Sequence, residues 1–136
     1  MATNNYLNLC EERRFAPLLA KVTALDPTPI STAQALWVAT GMGGLAIHQP
    51  QLGIRAPGYK AEVLLLTLAD TTLVPVFEDR TYIDHLVYAS GRELVDSVSV
   101  NGVRVIKEGA VITVDEVAAR RAAQQAAMAV LRHAEG

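Results

Sequence analysis

Apolar and polar residues alternate most sharply between Val95 and Ile112, VDSVSVNGVRVIKEGAVI. Two alternating runs flank Asn101-Gly102. That pair accepts positive φ at both central positions of a type I′ turn, whose twist suits paired strands. A two-residue turn fixes the register. It predicts Val100 opposite Val103, Val98 opposite Val105, and Asp96 opposite Lys107. Four valines then share one face, with an ion pair ending the row. Ser97, Ser99, Arg104 and Ile106 share a mostly solvated face.

Helical spacing marks three longer segments. From Tyr6 to Val22, Leu7, Cys10 and Arg14 share one side, with Leu18 and Val22 following on. Asn5 is a candidate cap. Glu11 and Glu12 precede Arg13, Arg14 and Lys21, the order a helix dipole prefers. Pro17 removes a hydrogen bond and crowds the preceding turn, so a kink or two shorter helices are expected. Asp26-Pro-Thr-Pro29 is a connector. The second helix is predicted over Thr32–Ile47, with Ser31 as N-cap and Gln34 completing a capping box. Its Thr40-Gly-Met-Gly-Gly44 run costs helix stability, so either the helix ends near Gly41 or the glycines permit close contact with another backbone, the reading favoured because Leu45-Ala-Ile47 resumes the apolar pattern. Thr113 and Glu116 match a further capping box, opening a last helix from Val114 to about His133. This helix is alanine-rich, its larger apolar residues being Val117, Met128 and Leu131. Such a weak face suits an exposed helix or one packed on a partner.

The middle of the chain is more broken. His48 to Arg55 reads as a loop. Ala56-Pro-Gly-Tyr59 has the proline–glycine centre of a type II turn. Lys60–Leu68, KAEVLLLTL, is a short apolar run expected as a buried, central strand. Thr71–Phe77 is a second candidate strand, interrupted by Pro75. Tyr82–Ala89 is a candidate short helix with Ile83, Leu86 and Val87 on one side. Together these elements predict a mixed α/β (α+β) chain with three main helices and a small sheet built from Lys60–Leu68 and Val95–Ile112.

Composition narrows the function classes. At 136 residues and 51% apolar, the chain suits one domain with a real core and argues against disorder. A net charge of −2 gives no support to nucleic-acid or anionic-membrane binding. The one cysteine, Cys10, cannot form an internal disulfide and favours a cytoplasmic setting. The N-terminal residues do not read as a signal peptide, and no apolar run reaches membrane-spanning length.

Candidate chemistry is sparse. His48, His85 and His133 are far apart in sequence and form no His-x-His pair, whereas a zinc site needs about three convergent ligands. They read as a loop residue, a packing or capping residue, and a cation at a helix end. Cys10 has Tyr6, Leu7 and Arg14 as helical neighbours, and reads as a structural thiol. Gly41-Met-Gly-Gly44 follows a helical pattern and lacks the lysine of a phosphate cradle. Glu11 and Glu12 point some 100° apart on a helix and read as a solvated face.

Ordered blocks of sequence carry a stronger signal. They are Thr3-Asn4-Asn5 with Leu7, Leu9, Glu11-Glu12 and Arg14, then Ala35-Leu-Trp-Val-Ala-Thr-Gly-Met-Gly-Gly44. Gly53-Ile-Arg-Ala-Pro-Gly-Tyr-Lys-Ala-Glu-Val63 follows, then His85-Leu-Val-Tyr-Ala89. The last is Val95, Val98, Val100, Asn101-Gly102 and Gly109. In this order they resemble the C-terminal end of the amidohydrolase superfamily, nearest its guanine-deaminase and chlorohydrolase branch. Glu62 stands where that family usually has Asp. The resemblance implies that the last metal-ligand Asp falls a few residues before Thr3, outside this sequence.

The resemblance further implies an organisation. Residues 1–48 would match the end of a barrel, 49–112 a part of the small β domain with a short helix, and 113–136 a C-terminal helix. Thr3, Asn4 and Asn5 would belong to a substrate loop. A complete relative would hold zinc or iron, whereas this chain is expected to supply no metal ligand and no catalytic residue. The expected function is that of a C-terminal fragment of a metal-dependent hydrolase acting on a C–N or related bond of a heterocycle, inactive alone. Two alternatives stand beside it: a self-associating or assembly module without catalysis, and one subunit of a split enzyme whose barrel is carried by a partner chain. Self-association is expected as a homodimer through Trp37 or the Leu18-Leu19 pair.

Overall fold

A computed structural model describes residues 8–77 and 79–134. The described residues are mixed α and β: three helices, one strand, a fourth helix, three further strands and a last helix follow in chain order. Helix α1 spans Leu9–Ala24, with the Asn8 side chain accepting the Cys10 amide at 3.1 Å. Asn5, the expected cap, lies outside the described residues, and Asn8 takes that role. Of the two outcomes expected at Pro17, the split into two shorter helices does not occur: α1 is one helix with Pro17 inside it. Pro17 is fully buried, and packing of its ring offsets the missing hydrogen bond. Leu25 ends the helix in the left-handed region, its amide reaching the Lys21 and Val22 carbonyls.

The expected Thr32–Ile47 helix is two: α2, Thr32–Ala39, and α3, Gly41–Ala46. The Ser31–Gln34 capping box is present in both directions, at 2.8 and 3.2 Å. Thr40 breaks the run with ψ −91°, and its hydroxyl donates to the Leu36 carbonyl at 2.8 Å. The glycines do serve close approach. A Cβ on Gly44 would meet the Leu52 carbonyl oxygen at 2.7 Å. Helix α4, Asp79–Tyr88, packs with α1 and α2.

The sheet orders its strands as β1 (Val63–Leu66), β2 (Val95–Val100), β3 (Val103–Lys107) and β4 (Ala110–Val111), all antiparallel neighbours. Asn101 and Gly102 have φ of 50° and 79°, as the two-residue turn requires. Val100 pairs with Val103 as expected, but Val98 opposes Ile106 instead of Val105. An extra residue in β3, a bulge, shifts the register. Ile106 therefore joins the valine face instead of the solvated one, and Ser97 on the other face is buried. Lys107 pairs with Glu108 at 3.6 Å, and Asp96 accepts from the Ser97 hydroxyl at 2.8 Å, so the expected Asp96–Lys107 pair is replaced.

Three further expectations are corrected. Strand β1 is an edge, not the centre, and Leu64 and Leu65 are 49% and 50% exposed. An apolar run identifies a strand without saying how many neighbours cover it. Thr71–Phe77 is not a strand: Thr71–Leu73 forms a 3-10 turn that Asp70 caps through the Thr72 amide at 2.8 Å. Helix α5, Glu116–Ala134, is capped by Asp115, which accepts the Val117 and Ala118 amides at 3.0 Å each, and not by Thr113. The type II turn is in place, with Tyr59 donating to the Ala56 carbonyl at 3.1 Å and Gly58 at φ 87°.

The buried apolar side chains among the described residues are Pro17, Ala35, Leu73, Val87 and Leu94. The chain exposes 10430 Å². A compact monomer of its 14.6 kDa would expose about 6,900 Å² by the usual size scaling. Much apolar surface that a closed core would cover therefore faces solvent.

Candidate functional site

The helical layer carries the polar side chains that tertiary structure brings together. Arg13, Pro17 and Lys21 recur every four residues, so they lie in one row along α1. Asp84 and Tyr88 share a row on α4 in the same way. Where the rows cross, the Lys21 ammonium donates to the Tyr88 hydroxyl at 2.8 Å and lies 4.7 Å from its ring centroid. About two turns away on α1, the Arg13 guanidinium donates to the Leu86 carbonyl and to the Ser90 hydroxyl, the latter at 3.2 Å. The Thr32 hydroxyl donates to Asp84 at 2.5 Å, tying the start of α2 to α4. A cleft of about 460 Å³ opens beside these pairs, lined by Lys21, Ile30, Thr32, Ile83, Asp84 and Tyr88.

This cleft has charge and hydroxyl groups, but each polar group named is already engaged by a neighbour. Among the groups named, the one hydroxyl beside a carboxylate, that of Thr32 on Asp84, ties α2 to α4. The arrangement fastens helices together. Asp26 and Asp70 sit outside the cleft. Hydrogen bonds from the Thr28 hydroxyl and amide hold Asp26 below the ordinary carboxylate value. The Thr72 amide and hydroxyl do the same for Asp70. Both are turn-forming aspartates.

The residues singled out in sequence do not converge. Thr3, Asn4 and Asn5 lie outside the described residues. His48 is in the loop after α3 at φ 58°. His85, on α4, has Nε2 2.9 Å from the Pro75 carbonyl oxygen. His133 is in the last turn of α5, with Nδ1 3.2 Å from the Ala129 carbonyl oxygen. Cys10 is half-buried beside a small hollow that also touches Arg14, Ser90 and Glu93. Among the described residues, no three His, Cys, Asp or Glu side chains are grouped to hold a metal ion. The described residues therefore do not fit a zinc or iron site. Glu62 is structural, since its carboxylate accepts the Asn101 amide at 3.1 Å and anchors the hairpin turn. Sequence reading missed the Lys21–Tyr88 and Arg13–Ser90 links. Helical spacing places Arg13 and Lys21 in one row of α1 and Asp84 and Tyr88 in one row of α4, but does not say which of them meet.

No protein-family model matches the chain. Curated relatives do. A 5-methylthioadenosine/S-adenosylhomocysteine deaminase of Pelotomaculum thermopropionicum is 37% identical over 93% of this chain and 29% of its own length. A 5′-deoxyadenosine deaminase of Methanosarcina mazei is 32% identical over 93% of the chain and 28% of its own length. Among solved structures, a zinc-bound adenosine deaminase from Xanthomonas campestris superposes with a TM-score of 0.83 at 30% identity. That match covers 91% of this chain and 28% of the other. The atrazine chlorohydrolase TrzN of Arthrobacter aurescens shares the fold, with a TM-score of 0.68 at 22% identity, over 87% of this chain and 25% of its own. The chain thus spans little more than a quarter of the length of these relatives.

Proposed function

We propose, for a chain homologous to part of the amidohydrolase-family deaminases, that it is the C-terminal portion of a metal-dependent aminohydrolase. The whole would hydrolyse a C–N or related bond on a heterocycle. This portion serves as scaffold and docking surface and is inactive alone. One observation carries the reading: 37% identity running through 93% of the chain to a deaminase of which it spans 29%. Zinc or iron belongs, on this reading, to the remaining portion, because the described residues do not supply a ligand set. Thr3, Asn4 and Asn5 are assigned to the rim of the substrate site. Cys10 stays a reduced thiol in the cytoplasm.

The metal-bearing portion has a surface to dock on. Phe15, Leu19 and Val22 lie on the side of α1 opposite Pro17 and are 50%, 62% and 71% exposed. Burying each such side chain is worth about 1.5–3 kcal/mol. That portion is supplied either by the same polypeptide or by a second chain, as in a split enzyme. A chimera tests the reading: this sequence replaces the matching 29% of the Pelotomaculum relative. The chimera is expected to bind zinc and deaminate 5-methylthioadenosine, while the 136-residue chain alone does neither. A folded, zinc-loaded chimera without turnover, or turnover by the chain alone, refutes it.

A second reading, self-association through the same layer, is favoured by the exposure of Leu18, Leu19 and Trp37. One patch then serves both copies of a two-fold dimer. Changing Leu18 and Trp37 together to serine is expected to abolish such a dimer. An unchanged mass in light scattering excludes this contact.

A further inference from the structure

We propose that Asn101 is a latent site of spontaneous modification, and that Ala61 and Glu62, which lead into strand β1, hold it unreactive. Asn101 is the one asparagine of the chain followed by glycine, and the chemistry needs that pair. The Gly102 backbone nitrogen gives up its proton to solvent hydroxide and attacks the side-chain carbonyl carbon of Asn101. The new nitrogen–carbon bond closes a cyclic imide, and the side-chain nitrogen leaves as ammonia. Water then adds to either imide carbonyl and opens the ring, to aspartate or to its β-linked isomer. Water is consumed and ammonia released. Glycine favours the step because no side chain shields its nitrogen. Both residues are exposed, and the nearest atom to a Cβ built on Gly102 is 3.9 Å away. Crowding therefore does not protect the site.

Two hydrogen bonds protect it instead. The Gly102 amide donates to the Ala61 carbonyl at 2.9 Å. The Asn101 amide donates to the Glu62 carboxylate at 3.1 Å. The first bond engages the proton that the attacking nitrogen must lose, and an acceptor on the neutral N–H makes that loss harder. Ring closure also swings the Gly102 nitrogen into the plane of the Asn101 side chain. That rotation takes the 101–102 peptide out of the type I′ geometry, marked by φ of 50° and 79°, and breaks the bond to Ala61. The second bond fixes the other side of Asn101, so both peptide groups that flank its side chain are tied to the lead-in of β1.

This clamp belongs to the edge of the sheet. Strand β1 has β2 as its only sheet neighbour, and Leu64 and Leu65 are half exposed, so little burial holds it down. Segments with few buried contacts open locally ahead of the rest of a fold. Each time β1 lifts, Gly102 loses its acceptor and Asn101 becomes reactive. The change is one-way. The β-linked product carries an extra main-chain carbon in a turn whose two residues set the register, so the Val100–Val103 pairing is lost. The aspartate product puts a second carboxylate on the residue that the Glu62 carboxylate anchors, and neighbouring like charges disfavour each other.

Mass spectrometry on the 136-residue chain tests this, by following the exchange of NH2 for OH in the peptide that holds Asn101. The same chain unfolded in urea, at the same pH and temperature, is the reference. The folded wild type is expected to react at least about tenfold more slowly than the unfolded chain. Glu62→Ala, with unchanged circular dichroism, is expected to react about 2–10-fold faster than the folded wild type, the size of one hydrogen bond. Glu62→Gln keeps an oxygen acceptor for the Asn101 amide and should stay near the wild-type rate. Amide exchange by NMR needs no variant to fold: the Gly102 amide of the wild type should exchange more slowly than in the unfolded chain. Folded wild type reacting as fast as the unfolded chain overturns the proposal. So do an unprotected Gly102 amide, a folded Glu62→Ala no faster than wild type, or a folded Glu62→Gln as fast as Glu62→Ala.

Discussion

Two adjacent glycines of α3 should respond in opposite directions to the same substitution. Alanine in a helix is favoured over glycine by about 1 kcal/mol, because glycine loses more backbone freedom on folding. At Gly43 the nearest atom to a new Cβ is the Val38 carbonyl oxygen at 3.6 Å, an ordinary contact. Gly43→Ala should therefore stabilise the chain by about 0.5–1 kcal/mol. At Gly44 the new Cβ would lie 2.7 Å from the Leu52 carbonyl oxygen and 3.0 Å from that of Gln49. Both belong to backbone that Gly44 itself holds, since Gln49 donates to its carbonyl at 2.8 Å. Moving that backbone costs about 1–3 kcal/mol, which outweighs the propensity gain. For a chain of this length each 1 kcal/mol shifts the melting temperature by about 3–4 °C. Thermal melts followed at 222 nm should show Gly43→Ala higher than the parent by about 2–4 °C and Gly44→Ala lower by a few degrees or more. Equal shifts of one sign would refute the claim that α3 meets the 49–52 backbone.

Gly102→Val should cost about 1–2 kcal/mol through its positive φ alone, because the nearest atom to a Cβ there is 3.9 Å away; a melt unchanged by the substitution would mean that the turn has another geometry. Leu94→Ala removes one of the few fully buried side chains and should cost about 2–5 kcal/mol. A loss below about 1 kcal/mol in a urea titration would show that Leu94 is not a keystone of this core. Asp26 and Asp70 should titrate below the ordinary 3.8 in NMR. The support they lend their turns is present above the unfolded value and is lost as pH falls through the lowered folded one. Midpoints above 3.8 would contradict the threonine hydrogen bonds.

What could be read from sequence was local chemistry. Ser31 with Gln34, Pro57 with Gly58, and Asn101 with Gly102 each act within four residues, and each forms the expected cap or turn. The glycines of α3 were legible as a close approach, although their partner at residues 49–52 was not. What failed depended on neighbours distant in sequence. The β3 bulge inverts the place of Ile106 and leaves no mark in the alternation of apolar residues. Leu64-Leu-Leu66 has the pattern of a doubly covered strand, yet β1 is an edge. Thr71–Phe77 failed for a local reason instead: its residues are strand-like, but Asp70 offers its carboxylate to the Thr72 amide and a turn forms. For the site, the absence of a His-x-His pair was plain in the sequence. The Lys21–Tyr88 and Arg13–Ser90 links depend on how α1 crosses α4, which local spacing does not specify.

Helix α1 shows why the ordinary rule for a surface helix misleads here. Such a helix turns its apolar stripe to its own core and its charges to water. In α1 the inner row is Arg13, Pro17 and Lys21, tied to α4 by hydrogen bonds, while Phe15, Leu19 and Val22 face outward. The polar row is well made: the Arg13 and Lys21 head groups both find acceptors, at the cost of one buried Arg13 Nε without a partner. A cationic inner row is tolerable because it ends at the C-terminal carbonyls of α4, where a helix dipole favours positive charge. Its outward apolar row has no counterpart among the described elements. The same inversion holds in the sheet, where Ser97 is buried and Val103 is exposed. Two layers that each turn an apolar side outward leave α1 and the sheet with apolar surface that the described elements do not cover, in a chain whose curated relatives are more than three times its length.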